Sequence, residues 1–145
     1  MANPKKIHLQ DAVLEDAEFV LYLKNQPYVR KASYSQKNIL WEEHLKWFKE
    51  NYKYFKIICL GNYQIGYVRV HKGDSTGDIH IALLKEHHGR GIGTKVIKQM
   101  VKKHKHLTTQ VLISNKPSRK IFEKAGFKEV GKIKKNNKIA VVMEK

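Results

Sequence analysis

A glycine-rich segment between a strand pattern and a helix pattern constrains this chain most. Positions 78–84 alternate as a strand does, positions 89–94 read GRGIGT, and positions 92–104 place apolar residues at helical spacing. Successive backbone N–H groups at the start of a helix form a site for an anionic group, and glycines let a phosphate approach the backbone closely. The segment therefore predicts an α/β arrangement with a phosphate cradle, and a tight turn that binds nothing is the alternative.

The spacing of the glycines separates this cradle from two common phosphate loops. No lysine directly follows the last glycine, so the segment is not a Walker loop. The pattern is GxGxG and not GxGxxG, so it is not a dinucleotide-binding fingerprint either.

The remaining patterns complete an α/β (α+β) domain that spans 1–145, a length that suits one core. They predict a mixed, mostly antiparallel sheet of about six to seven strands, flanked by about four helices. The expected strands are 7–9, 55–60, 65–71, 78–84, 110–114, 127–133 and 139–143. Two helices are expected to follow caps at Asp11 and Asn38. Two more are expected over 92–104 and 116–125, and Gly126 ends the last of them.

The charge of the chain indicates which partners it favours. Lys and Arg number 29 against 13 Asp and Glu, which gives a net charge of +16. Such a chain favours nucleotides, nucleic acid or acidic surfaces, and it disfavours polyamines, aminoglycosides and histone-type tails, although composition bias alone explains the charge equally well. No apolar run has the length of a signal peptide or membrane span, and the single cysteine, Cys59, is expected in the core. We therefore expect a cytoplasmic protein without a membrane or disulfide.

A second motif, downstream of the glycines, connects the chain to a known family. Positions 115–127 read NKPSRKIFEKAGF. Together with the glycine-rich segment, this resembles the GCN5-related N-acetyltransferase (GNAT) family, whose loop is Arg/Gln-Gly-x-Gly-x-Gly/Ala and whose later motif is Asn-x-x-Ala-x-x-x-Tyr-Glu-Lys-x-Gly-Phe. The resemblance implies a GNAT-like domain that uses acetyl-CoA as the donor for direct transfer to a primary amine.

The resemblance also implies where the donor binds. Backbone groups of the strand end should meet the pantetheine and acetyl group, with an N–H near Leu83 polarising the thioester, and the glycine-rich loop should hold the pyrophosphate. The positions implied for acetyl-CoA are Ile81, Ala82, Leu83, His88, Gly89, Arg90, Gly91, Ile92, Gly93, Thr94, Asn115, Ser118 and Lys124.

Three positions depart from the family pattern. His88 stands where Arg or Gln is usual, which leaves the backbone cradle unchanged. Phe122 stands where a tyrosine general acid is common, so a lower activity is expected. Gln110 stands where the ribosomal-protein alanine acetyltransferases carry a base glutamate, which counts against that subfamily.

The N-terminal half bears on the acceptor. Its segments NQPYVR at 25–30 and EHLKWF at 43–48 resemble the UDP-amino-sugar N-acetyltransferases of pseudaminic-acid-type biosynthesis. This implies as acceptor the 4-amino group of a UDP-linked deoxy sugar, contacted by Arg30, Tyr34, His44 and Trp47. Each residue also has a plainer interpretation. Arg30 is then a solvated surface charge, and Tyr34 is a loop tyrosine that covers the core. His44 is then a helix boundary residue, and Trp47 is part of the core or of the cleft wall.

His80 and Asp78 are the candidates for the general base, because both lie on one face of the strand that leads into the loop. An imidazole accepts a proton readily near neutral pH. A structural strand histidine, a weaker base at Glu43 and a water relay are the alternatives. The other histidines form no ligand set, so no metal is expected.

Two other functions stay open at this point. One is acetylation of a protein N-terminus or lysine, with the basic face docking on ribosomal RNA. The other is a non-catalytic module that binds acyl-CoA or nucleic acid, although no RNA-binding motif is present. Family members are often homodimers, which makes a homodimer a further expectation.

Overall fold

In the part of the chain that the structure describes, seven strands form one sheet, and helices cover both of its faces. The structure is a computed structural model that describes residues 6–35, 37–72 and 76–145. The strands are β1 (Ile7–Asp11), β2 (Phe55–Leu60), β3 (Tyr63–Lys72), β4 (Gly77–Leu83), β5 (Leu107–Leu112), β6 (Lys128–Lys135) and β7 (Lys138–Glu144). The helices are α1 (Ala17–Lys24), α2 (Pro27–Lys31), α3 (Trp41–Asn51), α4 (Ile92–Lys103) and α5 (Lys116–Lys124), with 3-10 turns at Leu14–Asp16, Tyr52–Tyr54 and Lys85–His87.

The sheet is antiparallel everywhere except at its centre. Its order is β1-β2-β3-β4-β5-β7-β6, and only β4 and β5 run parallel. These two pair at Gly77 with Leu107 and at Asp78 with Thr108, and then they separate. This confirms the expected mixed, mostly antiparallel α+β fold, and it leaves a wedge-shaped opening inside the sheet.

Strand alternation divides the apolar residues into one core on each face of the sheet. On one face, Val96, Ile97 and Met100 of α4 pack with Phe122 of α5 against the sheet. On the other face, α1 and α3 pack against a second set of strand residues. The buried members of this second core are Ala12, Ala17, Val20, Leu23, Phe48, Phe55, Ile57, Cys59 and Tyr67, so Cys59 is a core residue as expected.

The predicted start of the first helix is wrong. Asp11 is not a helix cap but the last residue of β1, where it faces and ion-pairs with Lys56 of β2. The helix begins only at Ala17, after a 3-10 turn, and Val13 and Leu14 are exposed instead of lying in the core. Continued strand pairing outweighs the local capping preference of an aspartate.

Three further element boundaries differ from the prediction. Pro27 begins the short helix α2 instead of only ending α1, because proline suits the first turn of a helix. Helix α3 starts at Trp41, without a side-chain cap from Asn38, and Trp41 is 45% exposed. Strand β5 starts at Leu107, three residues earlier than expected. In the described parts of the chain, no helix is both long and apolar enough to cross a membrane.

Candidate active site

The opening between β4 and β5 exposes backbone hydrogen-bonding groups inside the sheet. The hydroxyl of Thr109 donates to the carbonyl of Ile79 at 2.9 Å and closes the narrow end. Because backbone groups alternate along a strand, those of Ile81 and Leu83 also point toward β5, which has by then moved away. The N–H groups of both residues and the carbonyl of Ile81 can therefore hydrogen-bond an extended, amide-containing ligand that lies in the opening.

Ala82 points the other way. The backbone N–H of Leu84 donates to the carbonyl of Ile65 at 2.8 Å, and because hydrogen-bonded residues alternate along an antiparallel pair, the backbone groups of Ala82 also bond to β3, opposite Tyr67. The expectation that the backbone of Ala82 contacts the donor is corrected by this register. Its side chain packs with the core beneath α1 and α3.

Two side chains hold the end of β4. The hydroxyl of Tyr28 donates to the carbonyl of Leu83 at 2.8 Å, and Nε2 of His88 lies 3.0 Å from the same oxygen. The two rings meet edge to face at 5.2 Å, and burial raises the pKa of Tyr28, which keeps its hydroxyl a donor. His88 thus positions the strand end with its ring nitrogen. Tyr28 was missed from sequence because it lies 55 residues away from Leu83.

The glycine-rich loop has the shape of an anion cradle. Gly89 and Gly91 have φ angles of +75° and +79°, and Gly91 is the cap residue of α4. A Cβ at either position would meet no atom within 4 Å, so the space above them is open. The first turn of α4 contains no acidic residue, and Arg90 is exposed beside it. Free N–H groups, open space and positive charge together fit a diphosphate.

The downstream motif supports the cradle from α5. Ile121 approaches Gly93 so closely that an added Cβ would lie 3.4 Å from it. Asn115 caps α5, because its Oδ1 accepts a hydrogen bond from the backbone N of Ser118 at 3.3 Å. Lys124 is exposed in the last turn of α5.

Phe122, which stands where the family pattern has a tyrosine general acid, is a core residue. Its side chain is 2% exposed, and its ring lies 5.0 Å from that of Phe127. A phenyl ring carries no transferable proton, so α5 supplies no acid at this position.

The family model of the acetyltransferase (GNAT) domain matches residues 6–128, which include the opening and the cradle. The chain belongs to the GNAT acetyltransferase family. It is thus an N-acetyltransferase, and acetyl-CoA is its donor. No curated protein sequence matches the chain.

Solved structures agree with this GNAT assignment at the level of the fold. A domain from Methanocaldococcus jannaschii DSM 2661 has 25% identity and a TM-score of 0.88, over 97% of this chain and 98% of that one. A GNAT-family acetyltransferase from Bacillus anthracis has 17% identity and a TM-score of 0.83, over 97% and 95%. The aminoglycoside acetyltransferase AAC(6')-Ib, in complex with ribostamycin and coenzyme A, has 17% identity and a TM-score of 0.80, over 97% and 93%.

His80 and Asp78 of this GNAT domain lie together on the face that α1 and α3 cover. Nε2 of His80 is 3.3 Å from Oδ2 of Asp78, and the two side chains are 46% and 43% exposed. Tyr34 reaches the same region, because its hydroxyl donates to Oε1 of Gln110 on β5 at 2.7 Å. Burial, followed by the charge of Asp78, raises the pKa of Tyr34. The structure thus brings four polar side chains from three separate segments to one side of the opening.

His44 does not line this region. It is 2% exposed, and its Nε2 lies 2.8 Å from the carbonyl oxygen of Ala17. Burial, with the charge of Lys24, lowers its pKa. The expectation that His44 stacks on a ligand base is therefore corrected, because the helix α3 turns it into the core.

Arg30 and Trp47 remain candidates on the acceptor side. Trp47 is half-buried, and Nζ of Lys24 lies 3.8 Å from the centroid of its ring. Arg30 lines a cleft of about 680 Å³ together with Glu43, the weaker candidate for the base. The other residues of that cleft are Ser33, Ser35, Lys37, Asn38, Ile39 and Leu40.

Proposed function

We propose that this GNAT enzyme acetylates a primary amine on an anionic small molecule, and that the acceptor is a UDP-linked 4-amino sugar. The observation that carries the proposal is the net positive lining of the acceptor cleft, where Arg30 and Lys37 stand against one carboxylate, Glu43. Arg30 borders the cleft, and no carboxylate within the described residues forms an ion pair with it. A diphosphate suits such a lining, whereas an aminoglycoside, the kind of compound bound to AAC(6')-Ib, is a polycation.

The residues at the opening have separable roles in this reaction. Acetyl-CoA supplies an acetyl group that is activated as a thioester. His80 is exposed and accepts a proton from the acceptor amine as the amine nitrogen bonds to the acetyl carbon, the C–S bond breaks and coenzyme A leaves as its thiolate. Asp78 orients the ring of His80. The backbone N–H groups of Ile81 and Leu83 are donors fixed by the sheet, which costs no reorganisation during the reaction.

Acetyl-CoA-dependent thiol release across a panel of acceptors tests the proposal. The panel holds UDP-linked 4-amino sugars, N-terminal peptides, lysine peptides and aminoglycosides. We expect release with the sugar nucleotides alone. Release with peptides alone would establish protein acetylation instead, and release with no acceptor by a chain that binds acetyl-CoA would contradict the proposed acceptor.

His80→Gln tests the base. Loss of a general base costs about 10²–10⁴-fold in rate. We expect kcat to fall by about that factor, with an unchanged Kd for acetyl-CoA measured by calorimetry. His8→Gln, at an exposed imidazole on β1, is the matched control and should keep full kcat. An unchanged kcat in His80→Gln would assign proton removal to Glu43 or to water.

The homodimer and the cytoplasmic location stay predictions. Light scattering on the purified chain measures its mass in solution and checks the first. Imaging of a tagged chain in cells checks the second.

A further inference from the structure

Two basic side chains, Lys24 and Arg69, lie at one aromatic wall beneath α1 and α3, and the charge of Arg30 acts on the same region; we call these three residues the cation cluster. Nζ of Lys24 lies 3.8 Å from the Trp47 ring centroid and 5.6 Å from that of Phe55. Cζ of Arg69 lies 5.9 Å and 6.0 Å from the same two centroids. The cationic groups of α1 and β3 therefore share one aromatic wall.

Arg30 of α2 belongs to the cluster through its charge, which acts on the same groups as the charge of Arg69. Burial, followed by the charges of Arg69 and Arg30, lowers the pKa of Lys24 to about 7. The positive charges of these two arginines act also on Tyr67, whose pKa burial raises to about 12. The pKa values of Lys24 on α1 and Tyr67 on β3 are thus both affected by the charges of Arg30 and Arg69.

The cluster has no acidic partner in the part of the chain that the structure describes. The ion pairs found there are Lys56–Asp11, His80–Asp78, His106–Glu144 and Arg119–Glu129. Nε of Arg30 and Nε of Arg69 are buried and have no hydrogen-bond partner, while Nη2 of Arg30 donates to the carbonyl of Ser35. Buried donors and like charges without a counter-charge are unfavourable unless water or an anion completes them, and an anion also neutralises the charge.

The cation cluster is separate from the donor cradle. Arg69 pairs with His80 across β3 and β4, so it projects on the face that α1 and α3 cover. The cradle begins α4, whose side chains pack in the core on the opposite face. An anion at the cluster therefore belongs to the acceptor and not to the donor.

We infer that the cation cluster binds the diphosphate of the acceptor and thereby aims its amine at His80; this inference rests on the proposed function. Directly opposed residues on antiparallel strands have Cβ atoms about 4.5–5.5 Å apart, which makes Arg69 a neighbour of His80. Arginine binds phosphate oxygens in a bidentate manner, and Arg30 extends the site into the cleft beside α3. The bulk of the acceptor then lies in that cleft.

The fluorescence of Trp47 reports on the cluster directly. The chain has two tryptophans, so Trp41→Phe leaves Trp47 as the single emitter. We titrate this chain with UDP and with inorganic pyrophosphate, after coenzyme A has filled the donor cradle. We expect saturable changes in emission with both probes, and a Kd raised tenfold or more by Arg69→Gln.

Two controls separate binding from misfolding. Lys46→Gln removes an exposed charge next to Trp47 on α3 and should leave the Kd for UDP unchanged. Arg69→Gln should keep its Kd for coenzyme A, because the cradle lies on the opposite face of the sheet. Arg69→Lys should recover part of the affinity for UDP, since it restores the charge without the bidentate geometry.

The outcomes distinguish this inference from the proposed acceptor. Absence of saturable binding, or equal binding of UDP by wild type and Arg69→Gln, would overturn the cation cluster as a diphosphate site. If the enzyme acetylates a sugar nucleotide with a KM that Arg69→Gln does not change, the cation cluster is overturned as a diphosphate site, and the proposed acceptor is retained. Pyrophosphate binding that depends on Arg69, without acetylation of a sugar nucleotide, would support the cation cluster as a diphosphate site. The same result would refute the UDP-linked amino sugar as the acceptor.

Discussion

At the residue scale, the fold changes the acid–base chemistry of Lys24. Its ammonium group lies over Trp47, beside Arg69 of β3 and Arg30 of α2, and near the imidazole of His44 on α3. Burial and the two arginines favour its neutral form, and its pKa falls from 10.5 to about 7. A lysine in this state makes the stability of the protein depend on pH.

We expect the effect of Lys24→Met on stability to change with pH. Between about pH 7 and 10.5 the unfolded chain binds more protons at Lys24 than the folded chain, so the wild type gains stability as the pH rises. Lys24→Met removes this term. The stability of the variant relative to wild type should therefore fall between pH 6.5 and pH 9.5, as measured by urea unfolding.

Lys49→Met is the control for this measurement, because Lys49 is exposed on α3. Its difference from wild type should not vary over the same pH range. A constant difference for Lys24→Met would mean that Lys24 stays charged in the fold. UDP should oppose the effect, since an anion at the cluster favours the ammonium form.

At the scale of elements, the close approach of β3 to β4 shapes the donor site. A Cβ at Gly66 would overlap the carbonyl oxygen of Ala82 and would lie 2.7 Å from the side chain of Leu83. Only glycine fits there without moving the end of β4, the same end that Tyr28 and His88 hold. The geometry of the opening therefore depends on a residue that does not face the ligand.

Gly66→Ala should weaken acetyl-CoA binding. We expect a Kd raised about tenfold and an unfolding free energy lowered by about 1–3 kcal/mol, because the backbone must shift to relieve the overlap. Calorimetry and urea unfolding measure the two quantities. Gly131→Ala, where an added Cβ meets nothing within 4 Å, should change neither. Full affinity in Gly66→Ala would show that β4 tolerates the shift.

Elements were predictable where the hydrophobic period and the local signals agree. The pattern of α4 placed Val96, Ile97 and Met100 in the core, as observed, and Gly126 ends α5 with a φ of +99°. Prediction failed where pairing with distant residues decides the outcome, as at Asp11, which β2 holds in a strand. The preference of a single residue for a helix cap is weak compared with strand pairing, so Asp11 lies in a strand.

At the scale of the whole molecule, the sheet separates two anion sites. The cradle at α4 faces the donor, and the cation cluster lies beneath α1 and α3 on the other face. The opening between β4 and β5 is the place where both faces meet. An acceptor on one face can therefore reach an acetyl group held from the other.

Salt should weaken the binding of the acceptor more than it slows the chemical step. With a net charge of +16, the chain attracts an anionic acceptor through fields that salt screens over about 10 Å at about 0.1 M. We expect the KM for a UDP-linked amino sugar to rise severalfold between about 0.05 M and about 0.5 M NaCl, with kcat nearly constant. Steady-state kinetics at saturating acetyl-CoA check this. A KM independent of salt would argue for a neutral acceptor.

The amino-acid sequence by itself determined the local features of this protein: the glycine-rich turn into α4, the amphipathic faces of the helices and the alternation of β4. These features depend on residues close together in the chain, whose periods and backbone preferences act locally. Only the tertiary structure decided that β4 and β5 separate after Thr108, and that Tyr28 reaches Leu83. It also decided that His44 is buried and that Lys24 meets Arg69, because such contacts depend on packing between elements distant in sequence.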